Sequence, residues 1–223
     1  LLKLAAAPGV PVTFLGGGSN VLINDAGIKG VVIKNELRGI TVNDRQAGEQ
    51  VEPVITEPTT QPGPQARLEQ VDTKEYYSFA ELDYVESTAV RIGVTVLSGT
   101  ALAYTINNLI AQGITGLQWF AGIPGSIGGA VLNNIHGGSH FFSEYVSSVL
   151  VIDLQGNLSK LAKADLKFDY DYSILQANKT FIVSADLELF LGDKLKAQAA
   201  AVAWAQTKKK KQPYNSAGCC FKN

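Results

Sequence analysis

The chain has 223 residues, 46% of them hydrophobic and 17% charged, with a formal net charge of −1. That composition is of the water-soluble globular class. The near-neutral charge excludes broad electrostatic attraction to nucleic acid, and no run of about eighteen apolar residues marks a membrane span. Such a length builds one large domain or two small ones.

Taken in order, Ala5–Pro11 reads as the end of a helix and a turn, followed by a strand at Val12–Leu15. Phe14–Asn20 (FLGGGSN) is a first glycine loop. Val21–Ile23 and Gly30–Lys34 read as short strands around a turn at Asn24–Gly27. Ile40–Val42 begins another strand. Gln46–Gln70 then carries four of the eight prolines and has no apolar period, so a surface insertion is expected there rather than a domain linker. Strands on both sides of it, at Ile40–Val42 and Val90–Val96, are expected to share one sheet.

Leu102, Ile106, Leu109 and Ile110 fall on one face of a helix over Thr100–Gln112, with Ser98 or Thr100 as cap and Gly113 as stop. Phe120–Asn134 (FAGIPGSIGGAVLNN) is the second glycine loop, with Gly122, Gly125, Gly128 and Gly129 among fifteen positions. Glycine lets backbone N–H groups approach a ligand closely, and successive N–H groups form an anion-binding concavity. Two such loops predict one elongated, phosphate-bearing ligand held from two sides. Val149–Leu154 and Leu158–Leu161 predict a hairpin. Phe181–Leu191 alternates, with Phe181, Val183, Ala185, Leu187 and Leu189 on one face and Ile182, Ser184, Asp186 and Glu188 on the other. Lys194–Lys211, rich in Ala and Lys, predicts a helix. The basic run Lys208–Lys211 reads as its solvated end.

Cys219 and Cys220 are the only cysteines. A bridge between neighbours is strained and closes no useful loop, which points to a reducing, cytoplasmic setting. His136 and His140 bracket Gly-Gly-Ser without further ligands in the pattern, so no metal site is expected. Glu144 reads as a carboxylate that orders its loop.

Three segments occur in a fixed order: LGGGSN at 15–20, GLQWFAGIPGSIGGAVLNN at 116–134 and QPYNSAGCCFKN at 212–223. Together they resemble the UDP-N-acetylenolpyruvoylglucosamine reductases, flavoenzymes of peptidoglycan precursor synthesis, over nearly the whole chain apart from the Pro-rich stretch. The resemblance implies an α+β fold, the FAD-binding fold of the vanillyl-alcohol-oxidase type, with two lobes sandwiching FAD. It divides the chain into a first lobe at 1–36, a second at 37–191 and the start of a substrate domain at 192–223. Against that family the chain is expected to be a piece, lacking part of the first lobe and the C-terminal region that supplies a catalytic glutamate.

By the same resemblance, Gly16, Gly17, Gly18, Ser19 and Asn20 contact the FAD pyrophosphate. Gly122, Ile123, Pro124, Gly125, Ser126, Gly128, Gly129 and Asn133 line its other side and the flavin, and the backbone of Ile182 meets the isoalloxazine. The implied reaction is reduction of a UDP-sugar enolpyruvyl group by NADPH through FAD. Cys219 stands where the family has the serine or cysteine that protonates the substrate, whereas Cys220 reads as a small apolar residue. Tyr170, Lys222 and Asn223 match substrate-binding positions. Asp171 departs from the pattern, since the family carries there an arginine that stabilises negative charge; Lys222 and Lys211 are the candidate replacements. A flavin oxidase of the same fold, or a catalytically impaired flavin-binding relative, are the alternatives.

Overall fold

The computed structural model describes residues 9–43, 84–86, 90–178 and 180–211, with the side chain of Lys211 excluded. The insertion at 46–70, Cys219, Cys220, Lys222 and Asn223 lie outside the described residues, as does most of Ala5–Pro11.

Two short strands, β1 (Val12–Leu15) and β2 (Val31–Lys34), pair in parallel as a small sheet. The segment between them holds the first glycine loop and the turn at Asn24–Gly27, where Gly27 N donates to Asn24 O at 2.8 Å. The strand expected at Val21–Ile23 is not formed. These residues pair with no strand among the described residues and lie open to water, with Leu22 almost fully exposed.

The main sheet is antiparallel, in the order β3 (Ile40–Asn43), β4 (Arg91–Leu97), β10 (Thr180–Leu191), β8 (Val146–Asp153) and β9 (Leu158–Ala162). Strands expected on either side of the insertion therefore do pair, Ile40 lying opposite Val96. β5 (Ile114–Thr115) joins the far end of β10, and β6 (His136–Gly137) with β7 (His140–Phe141) makes a separate small hairpin. Val94, Val96, Val149, Val151, Leu187 and Leu189 point inward. On the outer face Thr95 and Ser148 each donate to the Asp186 carboxylate at 2.7 Å, and Lys160 lies 2.9 Å from it. Desolvation alone would raise the pKa of Asp186; these hydrogen bonds outweigh it and hold the carboxyl below its usual range.

The alternation of β10 changes phase, which corrects the expected faces. Ile182 pairs with Val151 but Ser184 pairs with Leu150, so Val183 is an extra residue opposite β8. Such a bulge reverses every side chain beyond it. Ile182 is therefore buried together with Ala185, Leu187 and Leu189, while Val183 is only partly covered.

Helix α1 (Leu102–Ala111) buries Leu102, Thr105, Ile106, Leu109 and Ile110, and Gly113 follows it at φ +75° as a left-handed stop. The expected cap is corrected: Ala101 occupies the N-cap position with no side-chain bond, because Ser98 and Thr100 are engaged elsewhere. Helix α2 (Ile127–Leu132) is short, and α3 (Lys194–Lys211) matches the expected span. Ala197, Ala200 and Ala201 bury against the turn Gln118–Phe120, whose Trp119 and Phe120 are wholly enclosed.

Candidate functional site

β1 ends at Leu15 and delivers Gly16–Asn20 directly against the start of α2. A Cβ on Gly16 would stand 2.8 Å from Ser126 Oγ, and one on Gly17 would stand 3.0 Å from the Cα of Gly125. The Ser19 hydroxyl donates to the Pro124 carbonyl at 3.0 Å. The loops thus touch. At this seam there is no gap for a ligand held from two sides, so a molecule that meets both loops must lie along the seam. The N–H groups of Gly17, Gly18, Ser19 and Asn20 find no acceptor among the described residues, and all four residues are exposed. Gly18 has φ +75°, which turns successive donors outward as an anion-binding nest requires.

The second loop is held from behind. Leu102 N donates to Gly125 O at 3.0 Å, Ile127 N to Thr100 O at 3.0 Å and Gly128 N to Ser98 O at 2.8 Å. Ser126 is extended, at φ −115° and ψ 163°, and its hydroxyl accepts from Gly129 N at 3.4 Å. It caps α2 as a short polar side chain does at a helix start. Ile123 is partly buried against the core.

Gly122 is turned toward α3. Its φ is +82°, and a Cβ there would stand 2.8 Å from the Cα of Ala205. One turn further along α3, Lys208 Nζ donates to the carbonyls of Ala121 at 3.1 Å and Trp119 at 3.3 Å. Burial pushes its pKa down to about 8. The reading of Lys208 as a solvated helix end is corrected: it anchors α3 to the entrance of the second loop.

At the far end of α2, Asn133 turns its amide back to Gly129 O at 3.1 Å. Asn134, not singled out in the sequence, is the more deeply placed of the pair. It is buried at φ +42°, donates to Asp169 O at 2.9 Å and accepts from Ser143 N at 2.9 Å. The Asn-Asn doublet was the available signal, since asparagine tolerates left-handed backbone. Asn134 supports a tight turn in which Asp169 and Tyr172 exchange both backbone hydrogen bonds. Tyr170 and Asp171 form the tip of that turn. Tyr170 stacks on His136 with ring centres 5.3 Å apart. Asp171 has φ +50° and is exposed.

His140 stacks on Trp119 at 4.5 Å and lies 2.8 Å from a Glu144 oxygen, while the other oxygen accepts from Phe141 N at 2.7 Å. Glu144 therefore orders its loop. Trp119 Nε1 donates to the buried Tyr145 hydroxyl at 2.8 Å, and burial pushes that phenol above its ordinary pKa.

No family model matches this chain. It is 29% identical to the UDP-N-acetylenolpyruvoylglucosamine reductase of Prochlorococcus marinus (strain NATL2A), over 94% of this chain and 57% of that protein. It is also 29% identical to the reductase of the same name from Clostridium novyi (strain NT), over 100% of this chain and 58% of that protein. The chain thus spans little more than half the length of these curated relatives. Its fold is that of the UDP-N-acetylenolpyruvylglucosamine reductase of Thermus caldophilus, with a TM-score of 0.65 at 22% identity over 100% of this chain and 64% of that one. A solvent-stable cholesterol oxidase matches at a TM-score of 0.52 and 14% identity, over 85% of this chain and 32% of that one. The α+β fold is thus of the vanillyl-alcohol-oxidase type.

Proposed function

We propose that this chain, a relative of the UDP-N-acetylenolpyruvoylglucosamine reductases, binds FAD along the seam of its glycine loops. It would serve the NADPH-dependent reduction of UDP-N-acetylglucosamine enolpyruvate to UDP-N-acetylmuramate, in the cytoplasm. The observation that carries this reading is the contact of Gly17 with Gly125 beneath four exposed N–H groups. Pyrophosphate needs several convergent donors of that kind.

In this assignment Gly16, Gly17, Gly18, Ser19 and Asn20 hold the pyrophosphate. Gly125, Ser126, Gly128 and Gly129 form the other side of the seam with Ile123 and Pro124, while Gly122 and Asn133 shape that side from its two ends. The backbone of Ile182 would meet the flavin ring. Bound FAD would carry hydride from a nicotinamide to the substrate double bond. Cys219 would hold the proton that the adjacent carbon takes up, and Tyr170, Lys222 and Asn223 would bind the sugar nucleotide. The lobes at 1–36 and 37–191 and a substrate domain beginning at 192 complete the assignment.

The test is chemical identification of the flavin released by heat from the purified protein, followed by anaerobic mixing with NADPH. FAD that bleaches rapidly on mixing is expected; FMN, or no flavin, would end the reading. Asp171 favours a second reading, a flavin-binding relative with impaired reduction, because a carboxylate opposes a developing anion. FAD that bleaches with NADPH but is not reoxidised by the enolpyruvyl sugar nucleotide would select it.

A further inference from the structure

Ser98 lies outside every assigned position, yet it is fully buried and makes four hydrogen bonds to three parts of the site. Its N–H donates to Val183 O at 2.9 Å, at the bulge of β10. Its hydroxyl donates to Ile182 O at 2.5 Å. Its carbonyl accepts from Gly128 N at 2.8 Å, at the start of α2. The hydroxyl oxygen also accepts from Asn35 Nδ2 at 2.8 Å. Asn35 in turn donates its backbone N–H to Leu15 O at 2.8 Å, immediately before the glycines of the first loop, and accepts from Leu37 N at 3.1 Å.

We infer that Ser98, with Asn35, is a positioning residue that sets the two glycine loops and the β10 bulge in one mutual arrangement. The amide of Asn35 can only donate through Nδ2, so the single hydroxyl proton of Ser98 is directed to Ile182 O. The relay has one polarity. Buried groups left without a partner by its removal would be costly, so the pieces can separate only by losing it. A Cβ on Gly128 would stand 3.0 Å from Ser98 Cβ, so glycine at 128 is what lets α2 reach this node. Its effect on FAD rests on the function proposed above; its effect on the flavin-free chain does not.

Two variants test it. Ser98→Ala removes both side-chain bonds. Asn35→Asp keeps the shape and the acceptor for Leu37 N but presents an acceptor to Ser98. Amide hydrogen exchange on the flavin-free chain is read at Asn35 and Gly128, with the β8–β9 hairpin as internal reference. Both variants should speed exchange at the two sites by about tenfold or more while the hairpin stays within about twofold of wild type. In a titration with FAD the dissociation constant should rise by about tenfold, with a shift of the visible flavin band. Unchanged exchange at Asn35 and Gly128 would overturn the inference. So would acceleration everywhere, or loss of the fold in both variants, since a residue of general stability would act that way. Wild-type protein that binds no FAD would end the functional reading and leave the exchange result intact.

Discussion

Valine in place of Gly17 would wedge the seam apart. A Cβ at that position stands 3.0 Å from Gly125 Cα, 3.4 Å from its carbonyl carbon and 3.6 Å from Ser126 N. All three are backbone atoms, which cannot swing aside as a side chain can. Overpacking of this kind costs about 1–3 kcal/mol. If the whole cost falls on the loop arrangement proposed to bind FAD, affinity drops by roughly 5- to 150-fold. Gly27→Ala is the control, because Gly27 lies outside the proposed site, has φ +79° and a Cβ there meets nothing within 4 Å. It carries only left-handed backbone strain, about 1–2 kcal/mol, with no displacement of Gly125. Quenching of flavin fluorescence on titration with FAD gives the affinity, and thermal melting of the flavin-free chain gives the stability. Gly17→Val should weaken binding more than its loss of melting temperature accounts for, and Gly27→Ala should lose the two in proportion. Wild-type affinity in Gly17→Val, or a larger binding defect in Gly27→Ala, would refute the argument from the seam.

Lys208→Met should alter the dependence of stability on alkaline pH. With a folded pKa near 8 against an ordinary 10.5, the unfolded chain binds more protons between those values, so this group makes wild-type stability rise with pH across that window. The variant should lose that slope in denaturant titrations at pH 8 and 10, and an unchanged slope would place the ammonium in water. Deletion of residues 50–66 should leave FAD uptake intact, because closure entropy grows slowly with loop length; a variant that folds but takes up no FAD would refute this. Cys219→Ala should leave flavin reduction by NADPH nearly unchanged and slow reoxidation by the enolpyruvyl sugar nucleotide by at least about a hundredfold, with Cys219→Ser largely active and Cys220→Ala near neutral. A loss confined to Cys220→Ala would move the proton donor to the neighbouring thiol.

Much of this protein is legible in one dimension because its signals are local. Apolar spacing at Leu102, Ile106, Leu109 and Ile110 is enough to mark α1 and its buried face, since a helix brings those positions together whatever surrounds it. The glycine loops are equally local, as closely spaced residues without Cβ leave little else for the backbone to do. What escaped the sequence depends on partners far along the chain. The bulge at Val183 exists only opposite β8, and it alone turns Ile182 inward with Ala185. Ser98 reads as a helix cap until Asn35, just after β2, and Ile182 of β10 engage its hydroxyl. Lys208 reads as a solvated lysine until α3 lays it on the carbonyls of Trp119 and Ala121. The seam itself, Gly17 against Gly125, is a contact between residues more than a hundred positions apart. Spacing along the chain carries no distance of that kind; packing of the two sheets and α2 does.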